Sequence, residues 1–233
     1  MQKPPVIDVI IPAFNEEGSI GKVLKDIPQH LVRDVLVCDN GSTDQTAEAA
    51  KNAGGLVLHQ PRKGYGSACL KGIEYLEQKP PEQQPDIVVF LDGDYSDYPE
   101  EMPLLIDPIV QNEMDLVIGS RALGESEKGA MQPQQVFGNW LATTLIRWFY
   151  RYTFTDLGPF RAIRFDKLLA LDMKDPDFGW TVEMQVRAAK MGLRCTEVPV
   201  NYRQRIGVSK VSGTIRGSLL AGHKILWTIF KLI

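Results

Sequence analysis

Asp86-Ile87-Val88-Val89-Phe90-Leu91-Asp92-Gly93-Asp94 leads five consecutive apolar residues into two carboxylates separated by one glycine. The apolar run is too short for a helix and rich in β-branched residues, so it reads as a strand buried on both faces. Val6–Pro12 (interrupted only by Asp8), Asp34–Asp39, Gly55–Gln60 and Asp115–Ser120 are runs of the same type. Helical patterns lie between them at about 17–27, 43–53, 65–79 and 100–112. Thr43, with Asp44 in the following turn, reads as the N-cap of the second helix. Pro80-Pro81 and Pro85 end the third. This alternation predicts an α/β fold with a mostly parallel sheet covered by helices on both faces.

The second half is less regular. A polar loop over 119–135 precedes a long helical pattern from Phe137 to Phe154. A short strand near Arg161–Phe165, a helix over Thr181–Met191, a strand over Leu193–Tyr202 and a helix from Thr214 follow. The division expected is a main domain over 1–213 and a C-terminal amphipathic helix over 214–233.

Ligands of open α/β sheets bind outside the carboxyl ends of the strands. Here those ends carry Pro12-Ala13-Phe14-Asn15-Glu16-Glu17, Asp39-Asn40-Gly41-Ser42-Thr43-Asp44, Asp92-Gly93-Asp94 and Gly119-Ser120-Arg121. Polar groups therefore converge on one edge. Adjacent carboxylates such as Asp92 and Asp94 repel each other unless a cation lies between them. Hard oxygen ligands suit Mg²⁺ or Mn²⁺, which hold one or two carboxylates together with substrate phosphate oxygens. Gly93 lets a diphosphate approach the backbone. A lone Asp-Gly-Asp is also a common acidic turn, so its place at a buried strand end is what gives it weight.

Other chemistries find no support. Gly64-Tyr65-Gly66-Ser67-Ala68-Cys69 falls short of a dinucleotide-binding fingerprint, since Cys69 takes its last position and no acidic residue follows at the required distance. The chain has no phosphate-loop, nucleophile-elbow or zinc-protease pattern, and His30, His59 and His223 are isolated from one another.

The ordered set from Pro12 to Arg121, continued by Asp156-Leu157-Gly158-Pro159-Phe160-Arg161 and Gly207-Val208-Ser209-Lys210, resembles glycosyltransferase family 2 over nearly the whole chain. Within the family it is most similar to the dolichyl-phosphate or polyprenyl-phosphate mannosyltransferase branch. The resemblance implies a nucleotide-sugar-binding GT-A fold and a metal-dependent, inverting hexosyltransferase with a donor of the GDP-mannose or UDP-glucose type. By matching position, Pro12, Phe14 and Glu16 would hold the nucleoside and Asp39 the base. Asp92 and Asp94 would hold Mg²⁺ or Mn²⁺ on the diphosphate. Arg121 and Lys210 would neutralise phosphate charge, with Lys63 and Arg205 completing the donor set. The pattern departs at several places: Asn40 stands where a second aspartate is frequent, Ser96 where a glutamine ligand is frequent, and Gln134, Gln135 and Val136 where an arginine for a lipid phosphate is expected. Gln204, between Arg203 and Arg205, also replaces a frequent arginine.

The resemblance implies a polyprenyl phosphate or another small molecule as acceptor. A phosphate acceptor is already anionic and needs no general base, whereas an alcohol needs a carboxylate within hydrogen-bond reach. Asp97, Asp156 and Glu183 are the candidates, and each has a capping role open to it. The rival readings are a nucleotidyltransferase that makes nucleotide-sugars and a non-catalytic nucleotide-sugar-binding protein. The first lacks the expected Gly-rich, basic loop after strand one.

Charge and composition agree with a soluble protein that handles phosphates. Apolar residues are 44% and charged residues 24% of the chain, and the net charge of −3 argues against nucleic acid as a partner. Val198–Ile233 holds six basic residues and no acidic one. Trp140, Leu141, Leu145, Trp148, Phe149 and Tyr152 recur at helical spacing with Arg147 and Arg151, and the C-terminus is similarly apolar and basic. Such helices suit peripheral contact with the inner face of a membrane. No apolar leader precedes the first strand, no stretch reaches the ~18 apolar residues a membrane span needs, and three scattered cysteines fit reduced thiols in the cytoplasm.

Overall fold

A computed structural model describes residues 4–111, 113–207 and 215–233, with side chains left undescribed over 215–221. Among these residues seven strands form one sheet: β1 (Ile7–Ala13), β2 (Asp34–Asp39), β3 (Leu56–His59), β4 (Ile87–Phe90), β5 (Leu116–Ser120), β6 (Arg161–Arg164) and β7 (Cys195–Pro199), in the order β3-β2-β1-β4-β6-β5-β7. All neighbours are parallel except β6, which runs antiparallel to both β4 and β5. The carboxyl ends of β1, β2, β4 and β5 therefore share one edge, and the reversed β6 delivers its first residue, Arg161, to that edge opposite Phe90.

Among the described residues, eight α-helices cover the two faces: α1 (Ile20–Asp26), α2 (Thr46–Asn52), α3 (Tyr65–Glu77), α4 (Met102–Val110), α5 (Pro133–Tyr150), α6 (Phe165–Leu171), α7 (Trp180–Lys190) and α8 (Ile215–Lys231). Successive strand residues point to opposite faces, and the packing follows that alternation. Val88 and Phe90 join the core under α3 and α5–α8, while Ile87, Val89 and Leu91 join the core under α1, α2 and α4. This double burial explains the continuous apolar runs. Asp8, the polar residue in β1, is fully buried but paired with Arg33 and lies 3.6 Å from Lys79. A buried carboxylate with two cations can stay in the core.

Several boundaries differ from the sequence expectation. Thr43 does not cap α2; its N–H donates to Asn15 Oδ1 (2.8 Å), and α2 starts at Thr46, whose N–H donates to Asp44 Oδ1 (3.0 Å). The long helix starts earlier, at Pro133, because Gln132 and Gln135 form a reciprocal capping box. It ends at Tyr150, where Arg151 turns left-handed at φ 55°. Helix α6 went unanticipated, since its Phe165, Leu168 and Leu171 face falls directly after a strand. The C-terminal helix is not set apart from the body: Tyr150 Oη donates to the Ile229 carbonyl (2.6 Å), and Lys224 pairs with Asp175 (3.0 Å).

Candidate functional site

Two loops at the sheet edge are laced together before any ligand is considered. Asn15, left-handed at φ 55°, donates its N–H to Ser42 Oγ (3.0 Å). Glu16 N–H donates to Thr46 Oγ1 (2.7 Å), and Glu17 Oε2 accepts from Gln45 N–H (2.9 Å). Much of the Asn40–Thr46 stretch thus orients the Ala13–Glu17 loop. Asn40 itself ties down a different segment. Its Nδ2 donates to the carbonyls of Gln60 (3.3 Å) and Arg62 (2.7 Å), and its Oδ1 accepts from Gly64 N–H (2.8 Å). An amide can both donate to carbonyls and accept from an N–H, whereas an ionised carboxylate can only accept. The aspartate frequent at this position could not tie that loop.

The loop so held opens α3. Gly64 has φ 131°, and a Cβ there would lie 2.2 Å from the Pro176 carbonyl oxygen; at Gly66 it would lie 2.0 Å from that of Asp175. These glycines serve backbone-to-backbone contact, and Ser67 N–H and the Pro176 carbonyl (2.8 Å) complete it. The contact brings Phe178 to the site. Tyr65, now at the site edge, donates its hydroxyl to Asp92 Oδ1 (2.9 Å) and meets Trp180 edge-on at 6.1 Å.

A pocket of about 340 Å³ lies at this edge. Pro12, Ala13, Phe14 and Glu16 line it after β1, Lys63, Gly64, Tyr65 and Ala68 at the start of α3, and Asp92, Gly93 and Asp94 after β4; Asn40, Phe178 and Arg205 close it. Lys63 places its ammonium over the Phe14 ring at 4.8 Å. Of the expected donor-binding residues, Pro12, Phe14, Glu16, Lys63, Asp92 and Arg205 reach this wall together. Asp39 is buried behind it, accepting from Ser42 N–H (3.1 Å) with His59 Nδ1 at 3.3 Å. Lys210 lies outside the described residues.

The two aspartates are held in place by neighbours. Asp94 Oδ1 accepts from the Ser96 N–H (2.9 Å) and hydroxyl (2.5 Å), while its Oδ2 pairs with Arg205. Ser96 therefore orients Asp94. Burial, and then the charge of Asp94, push the Asp92 carboxyl up to about 7. Two neighbouring carboxylates, one buried and one half-buried, that resist being charged together are a donor set that fits a divalent cation. Among the described residues no three His, Cys, Asp or Glu side chains converge on a metal position. Asp92 and Asp94 are two neighbouring carboxylates on this wall, and a cation held between them would take its remaining ligands from elsewhere.

The three carboxylates considered for proton transfer all lie off the pocket wall. Asp156 is fully buried and accepts from the Arg121 N–H (2.8 Å), Nε (2.7 Å) and Nη2 (2.7 Å). Arg121 spends its fork on that pair and stacks 5.0 Å over the Tyr202 ring. Glu183 accepts from the N–H groups of Lys174 (3.1 Å) and Asp175 (2.7 Å) and from Arg187 Nε (2.9 Å), so it anchors the loop that carries Phe178. Asp97 is 2% exposed with neither carboxylate oxygen hydrogen-bonded. Burial, and then the charges of Asp92 and Asp94, raise its carboxyl well above the usual range. Arg161 of the Gly158-Pro159-Phe160-Arg161 stretch is a structural cation, donating to the carbonyls of Leu157, Gly158 and Thr181.

Tyr65 and Phe178 were not legible as site residues. A tyrosine after a Gly-rich turn has many uses, and Phe178 reaches the pocket only through the contact made by Gly64 and Gly66.

Comparison with known proteins follows the same lines. A family model described as Glycosyl transferase family 2 matches residues 8–171. An uncharacterized glycosyltransferase of Mycobacterium tuberculosis is 36% identical over 218 residues, covering 92% of this chain and 94% of its own length. An undecaprenyl-phosphate mannosyltransferase of Micrococcus luteus is 32% identical over 223 residues, covering 89% of this chain and 88% of its own. Among solved structures, glucosyl-3-phosphoglycerate synthase of M. tuberculosis, in complex with Mn²⁺, UDP and glucosyl-3-phosphoglycerate, superposes with a TM-score of 0.74 over 98% of this chain and 80% of that one. At 22% identity that likeness concerns the fold.

Proposed function

This chain belongs to glycosyl transferase family 2, and on that premise we propose that it moves a hexose from a nucleotide-sugar to a phosphate-bearing acceptor at a membrane surface. The observation that carries the reading is the pair Asp92 and Asp94, oriented by Tyr65 and Ser96 on the floor of the pocket. Asp92 and Asp94 would hold Mg²⁺ or Mn²⁺, which would supply charge stabilisation for the leaving diphosphate. The superposed synthase holding Mn²⁺ and UDP supports this assignment by analogy. Pro12, Phe14 and Glu16 would flank the nucleoside, with Asp39 behind them, and Lys63, Arg205 and Lys210 would contribute positive charge, while Arg121 is held by Asp156. The donor is of the GDP-mannose or UDP-glucose type.

Acceptor chemistry is argued from the carboxylates. Asp156 and Glu183 each already accept three hydrogen bonds away from the pocket wall, and Asp97 is enclosed. A phosphate acceptor is an anion already and needs no base, so this arrangement suits it. One similar protein points the same way, being named for undecaprenyl phosphate. We favour the lipid because of the α5 and α8 surface. Trp140 and Trp227 are 58% exposed and Trp148 81%, with Phe137, Phe149 and Phe230 beside them. Arg147, Arg151 and Lys231 border them, and neither helix holds an acidic residue. Exposed tryptophans with basic residues complement an anionic bilayer surface. The inner side of α8 packs against the loop that carries Phe178, since a Cβ on the adjacent Gly179 would meet the buried Thr228 at 2.3 Å. Among the described residues no helix is long and apolar enough to cross a membrane.

The deciding experiment is a thermal-shift panel of GDP, UDP and their hexose conjugates with and without Mn²⁺, followed by product analysis with a polyprenyl phosphate. One nucleoside diphosphate should raise Tm only with the metal, because a ligand of the native state stabilises by mass action. Asp94→Asn should abolish that rise. Release of pyrophosphate would favour a nucleotidyltransferase, and metal-dependent binding without turnover of any donor would favour a nucleotide-sugar-binding protein.

A further inference from the structure

We propose that Arg205 is a stand-in for the metal: it neutralises Asp94 before a divalent cation binds and transfers to the diphosphate when the cation arrives. This rests on reading Asp92 and Asp94 as the metal ligands. Ser96 serves Asp94 Oδ1 twice, so Oδ2 is the oxygen directed at a cation, and Arg205 lies on it. A metal binding there has to displace that guanidinium.

The surrounding backbone is built for a swap of the side chain alone. Arg203 N–H donates to the Ser96 carbonyl (2.9 Å), and Ile206 N–H donates to the Asp94 carbonyl (2.9 Å). Residue 205 is thereby pinned on both sides to the Asp94–Ser96 turn. Its neighbour Arg203 is immobilised, with its guanidinium 3.4 Å over Tyr95 and its Nε on the Tyr95 carbonyl (2.7 Å). Arg121 is committed to Asp156. Arg205, by contrast, lines the pocket with its side chain 30% exposed, and its partner is itself one of the proposed metal ligands.

Charge explains the order of events. Metal alone would place a dication beside the guanidinium and meet repulsion. Metal entering with a diphosphate brings the anionic oxygens that a guanidinium binds in bidentate fashion. Metal and nucleotide should therefore bind with strong mutual enhancement, and reciprocity requires each to raise the affinity of the other by the same factor.

The test is titration of MnCl₂, followed by electron paramagnetic resonance of free Mn²⁺, into wild type, Arg205→Gln and Arg205→Lys, each with and without GDP or UDP. Arg205→Gln should bind Mn²⁺ alone about tenfold more tightly than wild type, a gain of about 1.4 kcal/mol. It should bind the nucleoside diphosphate with Mn²⁺ more weakly, so the mutual enhancement shrinks. Arg205→Lys, which keeps the charge without the fork, should fall between. Unchanged or weaker binding of Mn²⁺ alone by Arg205→Gln would overturn the proposal, and if that variant does not fold, the same comparison is read on Arg205→Lys. Wild type that binds no Mn²⁺ with either nucleotide would instead overturn the functional reading beneath it.

Discussion

Asp156→Asn separates a reacting carboxylate from a positioning one. Asp156 is fully buried, and its partner Arg121 has 13% of its side chain exposed. Asparagine keeps the shape but removes the charge, and turns an amide N–H₂ toward a guanidinium that can only donate. Breaking a buried pair from one side typically costs ~3–5 kcal/mol, because the remaining charge stays unsolvated. In a chain of this size each kcal/mol moves Tm by about 2–4 °C, so the fall should be about 6–20 °C. Differential scanning calorimetry and urea unfolding measure it directly, with donor turnover followed below the new Tm. Fully folded Asp156→Asn should retain measurable transfer to a phosphate acceptor. The reasoning is refuted if the variant melts within about a degree of wild type yet has lost turnover, which is the pattern of a general base.

Three further outcomes follow. Glu183→Gln removes the anion that Arg187 and two backbone N–H groups share, and should cost ~1–3 kcal/mol in urea unfolding while sparing the pH profile of transfer. Gly66→Ala drives a methyl group against the Asp175 carbonyl; overpacking of this kind costs ~1–3 kcal/mol, and nucleotide affinity should fall with it as the loop carrying Phe178 is displaced. An unchanged Tm and affinity would contradict the close-packing argument. Burial pushes the Cys38 thiol up to about 12 and that of Cys195 to about 11, so at pH 8 both are almost entirely protonated and native protein should react slowly with a thiol-specific disulfide reagent, with urea restoring fast reaction.

The membrane face makes a prediction of a different kind. Trp148, at 81% exposure, contributes little packing, so Trp148→Ala should change stability by no more than ~0.5 kcal/mol. The same substitution should weaken flotation with phosphatidylglycerol vesicles at low salt. Failure of wild type to float with those vesicles would remove the lipid-surface part of the proposed function and leave soluble phosphate acceptors.

The sheet and its working edge were legible in the amino-acid order alone. Runs such as Ile87–Leu91 are apolar at every position because both faces are covered, and that pattern is local. Strand ends can be counted without knowing strand order, so Glu16, Asp92 and Asp94 could be assigned to one edge. How those ends are arranged emerged only on folding. The reversal of β6 depends on pairing between residues far apart in the chain, such as Phe90 with Arg161 and Ile118 with Arg161, and no periodicity encodes that. The partners of Asp156 and Glu183 were equally invisible, since whether a carboxylate reacts or supports depends on which donors reach it. Arg121 reaches one across 35 residues, and the N–H groups of Lys174 and Asp175 reach the other. Lone-pair occupancy is a property of the folded neighbourhood, and each of these two carboxylates already accepts three hydrogen bonds there.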